Sequence, residues 1–175
     1  MQMVGLHRAA VPHLQRAIFA CAPYAPPVQD CCDLIFPFLA IETTLSQTHE
    51  EAMERNWHNG GAMLQGLRAL HVKAKGPADA AWNFDMHCKA LTIILSFDQV
   101  DIMAHWTRLN ENHEVEYKCC FVENYPTKQP LIWPELVCVI RNAVKWKAGM
   151  EAIKENLSLV ENSLHTSGAT SESES

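Results

Sequence analysis

Three histidines sit on apolar stripes that each read as a separate helix: His7, His49 and His105. Neutral imidazole is a common ligand for iron, zinc and copper. Facing helices of a bundle core are where such ligands converge. This pattern predicts at most one iron or zinc ion, held by His7, His49 and His105, with an open coordination position for oxygen or redox chemistry. A lone histidine on an apolar face is more often a core residue with a satisfied hydrogen bond. Two acid–histidine pairs stand four residues apart, Glu54 with His58 and Asp101 with His105. Side chains at that spacing share a helix face. His49, Glu50 and His105 are also of the types that move protons, so the same residues are candidates for acid–base catalysis. His49-Glu50-Glu51-Ala52-Met53 lacks the second histidine of HExxH, and neither a Gly-rich phosphate loop nor a GxSxG elbow is present.

The elements expected to position these residues are helices. Val4, His7, Val11, Leu14 and Ile18 form a first stripe, with Pro12 inside it and Pro26-Pro27 after it. A second segment begins near Asp30, an N-cap candidate, and carries Leu34, Phe38, Ile41, Leu45, His49 and Ala52. Asn59-Gly60-Gly61 reads as a break, and a shorter helix from Met63 to His71 ends at Gly76-Pro77. A long fourth helix carries Leu91, Ile94, Leu95, Ile102, His105 and Leu109, and Ser96 with Gln99 is a possible capping box inside it. Residues 114–125 alternate weakly and allow an extended segment. Pro134 opens a last helix, about 134–164, with apolar residues every three or four positions from Leu136 to Leu164. That stripe either docks on the parent bundle or pairs with another chain, forming a homo-oligomer. Residues 1–165 thus read as one domain and 166–175 as a small, polar, disordered tail.

Composition excludes several classes. A hydrophobic content of 48% with 19% charged residues is that of a globular chain. A net charge of -6 without a Lys/Arg cluster argues against nucleic acid and anionic membranes as partners. No apolar run nears the roughly 20 residues of a membrane span, and His13, Gln15 and Arg16 interrupt the only stretch resembling a signal peptide. The seven cysteines lack metal or CxxC spacing and read as buried, reduced thiols of a cytoplasmic protein.

The order of several motifs resembles the hemerythrin-like (HHE cation-binding) family, in its fungal form with a C-terminal extension. They are Val4-Gly5-Leu6-His7, the Ala-Pro loop Cys21–Pro27, Thr48–Met53, Gly60–Leu67, Leu95-Ser96-Phe97 followed by His105, and the extension around Trp133-Pro134 and Trp146. The resemblance implies an all-α, antiparallel four-helix bundle with an additional C-terminal helix. It also implies a pair of irons, with His7, His49 and His105 on ligand positions. The remaining ligand positions hold Thr48, Ala52, Met53, Gly60 and Leu64, and the carboxylate expected after His105 falls on Leu109 or Asn110, with Glu111 just beyond, so the bridging carboxylates of a normal di-iron centre are missing.

Three functions follow as expectations. The emptied core forms a pocket for an apolar small molecule, lined by Ala52, Met53, Leu64 and Trp106, that binds it or rearranges it by acid–base catalysis. Alternatively, the single Fe/Zn site operates. Alternatively, the last helix makes the chain an interaction module.

Overall fold

The computed structural model describes residues 2–7, 9, 11–14, 17, 34–44 and 48–170. Five strands form one sheet in the order β1-β2-β3-β4-β5: β1 Gln2–His7, β2 Leu34–Thr43, β3 Ala90–Leu95, β4 Gln99–Leu109 and β5 Val115–Pro126. All neighbours pair antiparallel except β2 and β3, which run parallel. A parallel pair needs a long crossover. Helix α1, His49–Lys75, supplies it. It is followed by a short helical stretch, Pro77–Asp79, that runs into a π-helical turn, Ala80–Phe84. After the sheet come α2, Trp133–Val144, and α3, Lys147–Thr170.

Local chemistry sets the ends of α1. The Thr48 hydroxyl accepts the Glu51 N–H at 3.2 Å, and the Glu51 carboxylate accepts the Thr48 N–H at 3.0 Å. This reciprocal cap satisfies two backbone donors that a helix start leaves open. Gly76, at φ 90°, ends the helix where only glycine is unstrained, and Pro77 follows. Along α1, Ala52, Met63, Leu64, Leu67 and Leu70 turn inward at spacings of three and four. Met63 and Leu64 pack with Ala40 and Ala90 of the sheet. Leu67 and Leu70 join the main core, which also takes in Phe38, Ile93 and Ile102 of the sheet, Leu136 of α2, and Ile153, Leu157 and Val160 of α3. The Glu161 carboxylate accepts the Ala17 N–H at 2.7 Å and ties the N-terminal segment to α3.

The all-α, hemerythrin-like four-helix bundle is therefore corrected to a mixed α/β fold. Leu34-Ile35-Phe36-Pro37-Phe38-Leu39-Ala40-Ile41 is a continuous apolar run. Such a run suits a strand buried on both faces as well as a helix, and β-branched and aromatic residues tip it towards strand. The expected fourth helix is a hairpin instead. Ser96 closes its turn, its N–H donating to the Gln99 carbonyl at 2.9 Å and its hydroxyl accepting the Gln99 N–H at 3.1 Å. The half of the capping-box geometry that Ser96 makes thus belongs to a turn. The expected first helix is β1 with a 3-10 turn, Pro12–Leu14. The second helix and the short third one, with the break expected at Asn59-Gly60-Gly61, are replaced by β2 and the single helix α1. Residues 114–125 are extended, as β5.

The last helix is two, interrupted at Lys145-Trp146, and its stripe from Leu136 to Leu164 packs on this chain's own core. The part of the expected tail from Thr166 to Thr170 is helical; residues 171–175, Asp30 and the Ala-Pro loop lie outside the described residues. Cys88, Cys119, Cys120 and Cys138 are free thiols as expected, but exposed rather than buried. Cys21, Cys31 and Cys32 lie outside the described residues.

Candidate functional site

Paired residues of neighbouring strands project to the same face. Glu42 of β2 pairs with Ile94, Ile94 with Asp101, and Asp101 with Asn124 of β5. One row across four strands thus carries two buried carboxylates, Glu42 and Asp101. The row lies at the C-terminal end of the parallel pair, where open α/β sheets place their ligands. The first turns of α1 stand over it. His49 Nε2 is 3.3 Å from Asp101 Oδ2, and Arg55 Nε is 3.5 Å from Glu42 Oε1.

Asp101 is held on other sides as well. Asn124 donates a short hydrogen bond to Oδ1, and Gln99 donates to Oδ2 at 2.9 Å. Its side chain is 2% exposed whereas that of His49 is 42% exposed. A fixed buried carboxylate beside a half-exposed imidazole is the relationship that orients a histidine ring. Glu50, Glu51 and Glu54 of α1 are exposed nearby in sequence. Asp98, held below the usual carboxylate range chiefly by the Ser96 hydroxyl, also feels the His49 charge. The surroundings are therefore acidic, with Arg55 as counter-charge.

Further along the α1 face the buried polar groups are structural. Asn56, fully buried, donates to the Ala52 carbonyl at 2.9 Å. His105 Nε2 is 2.8 Å from the Thr92 hydroxyl, and burial pushes the His105 imidazole down to about 4, so it is neutral near pH 7. Asp85 holds α1 to β4: Arg68 grips it with Nε at 2.9 Å and Nη2 at 3.1 Å, and the Thr107 hydroxyl donates at 2.5 Å. Burial raises the Asp85 carboxyl, but these partners outweigh it and hold it below its ordinary value.

The structure brings some expected site residues together and separates others. His49 meets Asp101, a pairing the sequence offered only between Asp101 and His105. His105 is four residues from Asp101 along β4, about 13 Å at the strand rise. His49 and His105 therefore cannot share one ion, whose nitrogen ligands lie at about 2.0–2.1 Å. His7 is on β1, beside Leu34 of β2. The mononuclear iron or zinc set does not fit this placement, and among the described residues no three His, Cys, Asp or Glu side chains are arranged to hold a metal ion. Glu50 stands exposed in the first turn of α1. Of the expected pocket residues, Ala52 and Leu64 are core, Met53 is half-buried on α1, and Trp106 lies on the sheet face opposite His105. Glu42, Asn124 and Arg55 escaped sequence reasoning, because a cross-strand row exists only once register is set. The one available signal was Glu42 itself, a carboxylate closing an apolar run.

Among the described residues no helix is long and apolar enough to cross a membrane. No curated protein and no solved structure matches the chain. A family model described as a domain of unknown function (DUF7924) matches residues 3–151, and the chain belongs to that family.

Proposed function

We propose that the domain is an acid–base catalyst acting on a neutral or cationic small molecule, with His49 as the proton-transfer group and Asp101 as its positioning residue. The observation that carries this reading is the 3.3 Å approach of His49 Nε2 to a carboxylate buried and held by Asn124 and Gln99. Asp101 selects the imidazole tautomer with hydrogen on Nε2, leaving Nδ1 as the base. A small rotation of the exposed ring turns the approach into a hydrogen bond, as happens when apo sites close on substrate.

The simplest reaction of this arrangement is hydrolysis. Water gives a proton to His49 Nδ1 as its oxygen attacks a carbonyl carbon, and the imidazolium then returns that proton to the leaving group. The half-exposed Arg55 guanidinium is the nearby cation for the oxyanion that develops. The acidic surroundings, with Glu50, Glu51, Glu54 and Asp98, disfavour anionic substrates.

A panel of chromogenic esters and amides, neutral and cationic, tests the proposal with wild-type protein, His49→Gln and Asp101→Asn. Turnover that falls at least 100-fold in His49→Gln supports it. Absence of turnover across the panel, or turnover unchanged in both variants, overturns it.

A further inference from the structure

β5 is the last strand of the sheet, and among the described residues only β4 pairs with it. Its outer side therefore carries unpaired backbone N–H and C=O groups, which are a template for a further strand. Chains blunt such edges with proline, a bulge, lysine or short length. Here Pro126 comes only at the end of β5. The bulge is at Val122, because Glu123 pairs with Ile102 and Phe121 with Met103. Lys118 is neutralised by Glu116 at 2.9 Å. Residues 115–121 are thus left as an unbroken, open ladder.

Along this run one face is exposed and largely apolar. Tyr117, Cys119 and Phe121 pair with Thr107, His105 and Met103, so they project on the α1 face. Tyr117 is 47% and Phe121 55% exposed, and Cys119 is exposed as well. Helix α1 does not close over them: a groove of about 810 Å³ lies between its residues Trp57, His58 and Gln65 and the strand residues Tyr117 and Cys119. That groove leaves space for side chains of a neighbouring strand.

A second copy of this chain fits the run by symmetry. A twofold axis perpendicular to the sheet pairs the two edges antiparallel and sets one residue of β5 against its own copy. Centred on Lys118, it would oppose two like charges. Centred on Tyr117, it would set Phe121 against His113, in the turn between β4 and β5. Centred on Cys120, it would set Tyr117 against the Glu123 carboxylate. Centred on Cys119, it sets Tyr117 of each copy against Phe121 of the other, giving two aromatic pairs on the α1 face beside the groove. Lys118 then faces Cys120.

We propose that the chain forms a homodimer through β5, with the twofold axis at Cys119 and one sheet running through both copies. The assignment is independent of the His49 reading, because neither His49 and Asp101 nor their partners Gln99, Asn124 and Arg55 take part.

Sedimentation equilibrium and disulfide trapping test it. In reducing buffer at micromolar concentration the wild-type protein is expected to weigh twice the chain mass. Phe121→Glu, a change at an exposed position, is expected to weigh one chain, with a thermal melt to show that it folds; should it not fold, trapping decides. Across the axis the two Cys119 Cα atoms lie about 4.5–5.5 Å apart and the two Cys120 Cα atoms about 8 Å, so only Cys119 is within disulfide reach. Mild oxidation is therefore expected to link the copies in wild type and in Cys120→Ser, and to leave Cys119→Ser unlinked. A single-chain mass for the wild type, a dimer unchanged by a folded Phe121→Glu, or linkage kept in Cys119→Ser overturns the proposal.

Discussion

Gly60 of α1 lies against the His105 ring so closely that a Cβ there would sit 2.2 Å from Nδ1. The helix can cover this part of β4 only because residue 60 has no side chain. Gly61, one position on, has open space where its Cβ would be. The two glycines that read together as a break thus have opposite roles within one helix. Gly60→Ala is expected to destabilise by about 1–3 kcal/mol through overpacking, less the helix propensity alanine brings. Gly61→Ala is expected to stabilise by up to about 1 kcal/mol. Urea denaturation of the two variants checks the pair; equal effects would place α1 away from β4.

His105 also makes stability depend on pH. Its folded value of about 4 lies below the roughly 6.5 of an unfolded chain. The unfolded state therefore binds the proton first as pH falls. The cost begins near pH 6.5, grows through pH 5 and is complete below about pH 4, reaching about 3 kcal/mol. His105→Asn is expected to flatten this part of the stability–pH curve, even if it lowers stability at pH 7. Denaturation midpoints between pH 7 and 4 measure the slope, and an unchanged slope in the variant would assign the titration elsewhere.

Asp85 adds a dependence of the same sign at lower pH. Its folded value is depressed, so its contribution is present above the unfolded carboxylate value and lost as pH falls through the folded one. Arg68→Met leaves the buried Asp85 charge without its bidentate partner and is expected to cost about 3–5 kcal/mol. Replacing both, Arg68→Met with Asp85→Leu, is expected to recover a large part of that loss. A double-mutant cycle in denaturant reads the coupling directly.

Leu157, fully buried, tests the docking of α3. Leu157→Ala is expected to cost about 2–5 kcal/mol. Light scattering should show unchanged molecular mass in the folded variant. A change in oligomeric state with little loss of monomer stability would favour the intermolecular use of this stripe.

Much of the helical half was legible in the sequence. Met63, Leu64, Leu67 and Leu70 do face inward, and Gly76-Pro77 does end α1. The apolar positions from Leu136 to Leu164 are core positions, because a three-four period fits only a helix lying on a surface. The strands were misread for a definable reason. In β2, β3 and β4 both faces are largely buried, so the period of two that marks a half-exposed strand is lost, and apolar residues can be counted at helical spacings by chance.

By itself, the sequence determined which segments are apolar enough to be buried, where glycine and proline interrupt them, and which residues can carry a proton or a charge. Tertiary structure alone decided which of those residues meet. Glu42, Asp101 and Asn124 come from three strands, and only the register of β2 on β3 and β4 on β5 puts them in one row. His49 reaches Asp101 rather than His105 because α1 crosses back over the sheet between two parallel strands. The chain can encode that crossover only through the packing of the whole helix face, which no local spacing records.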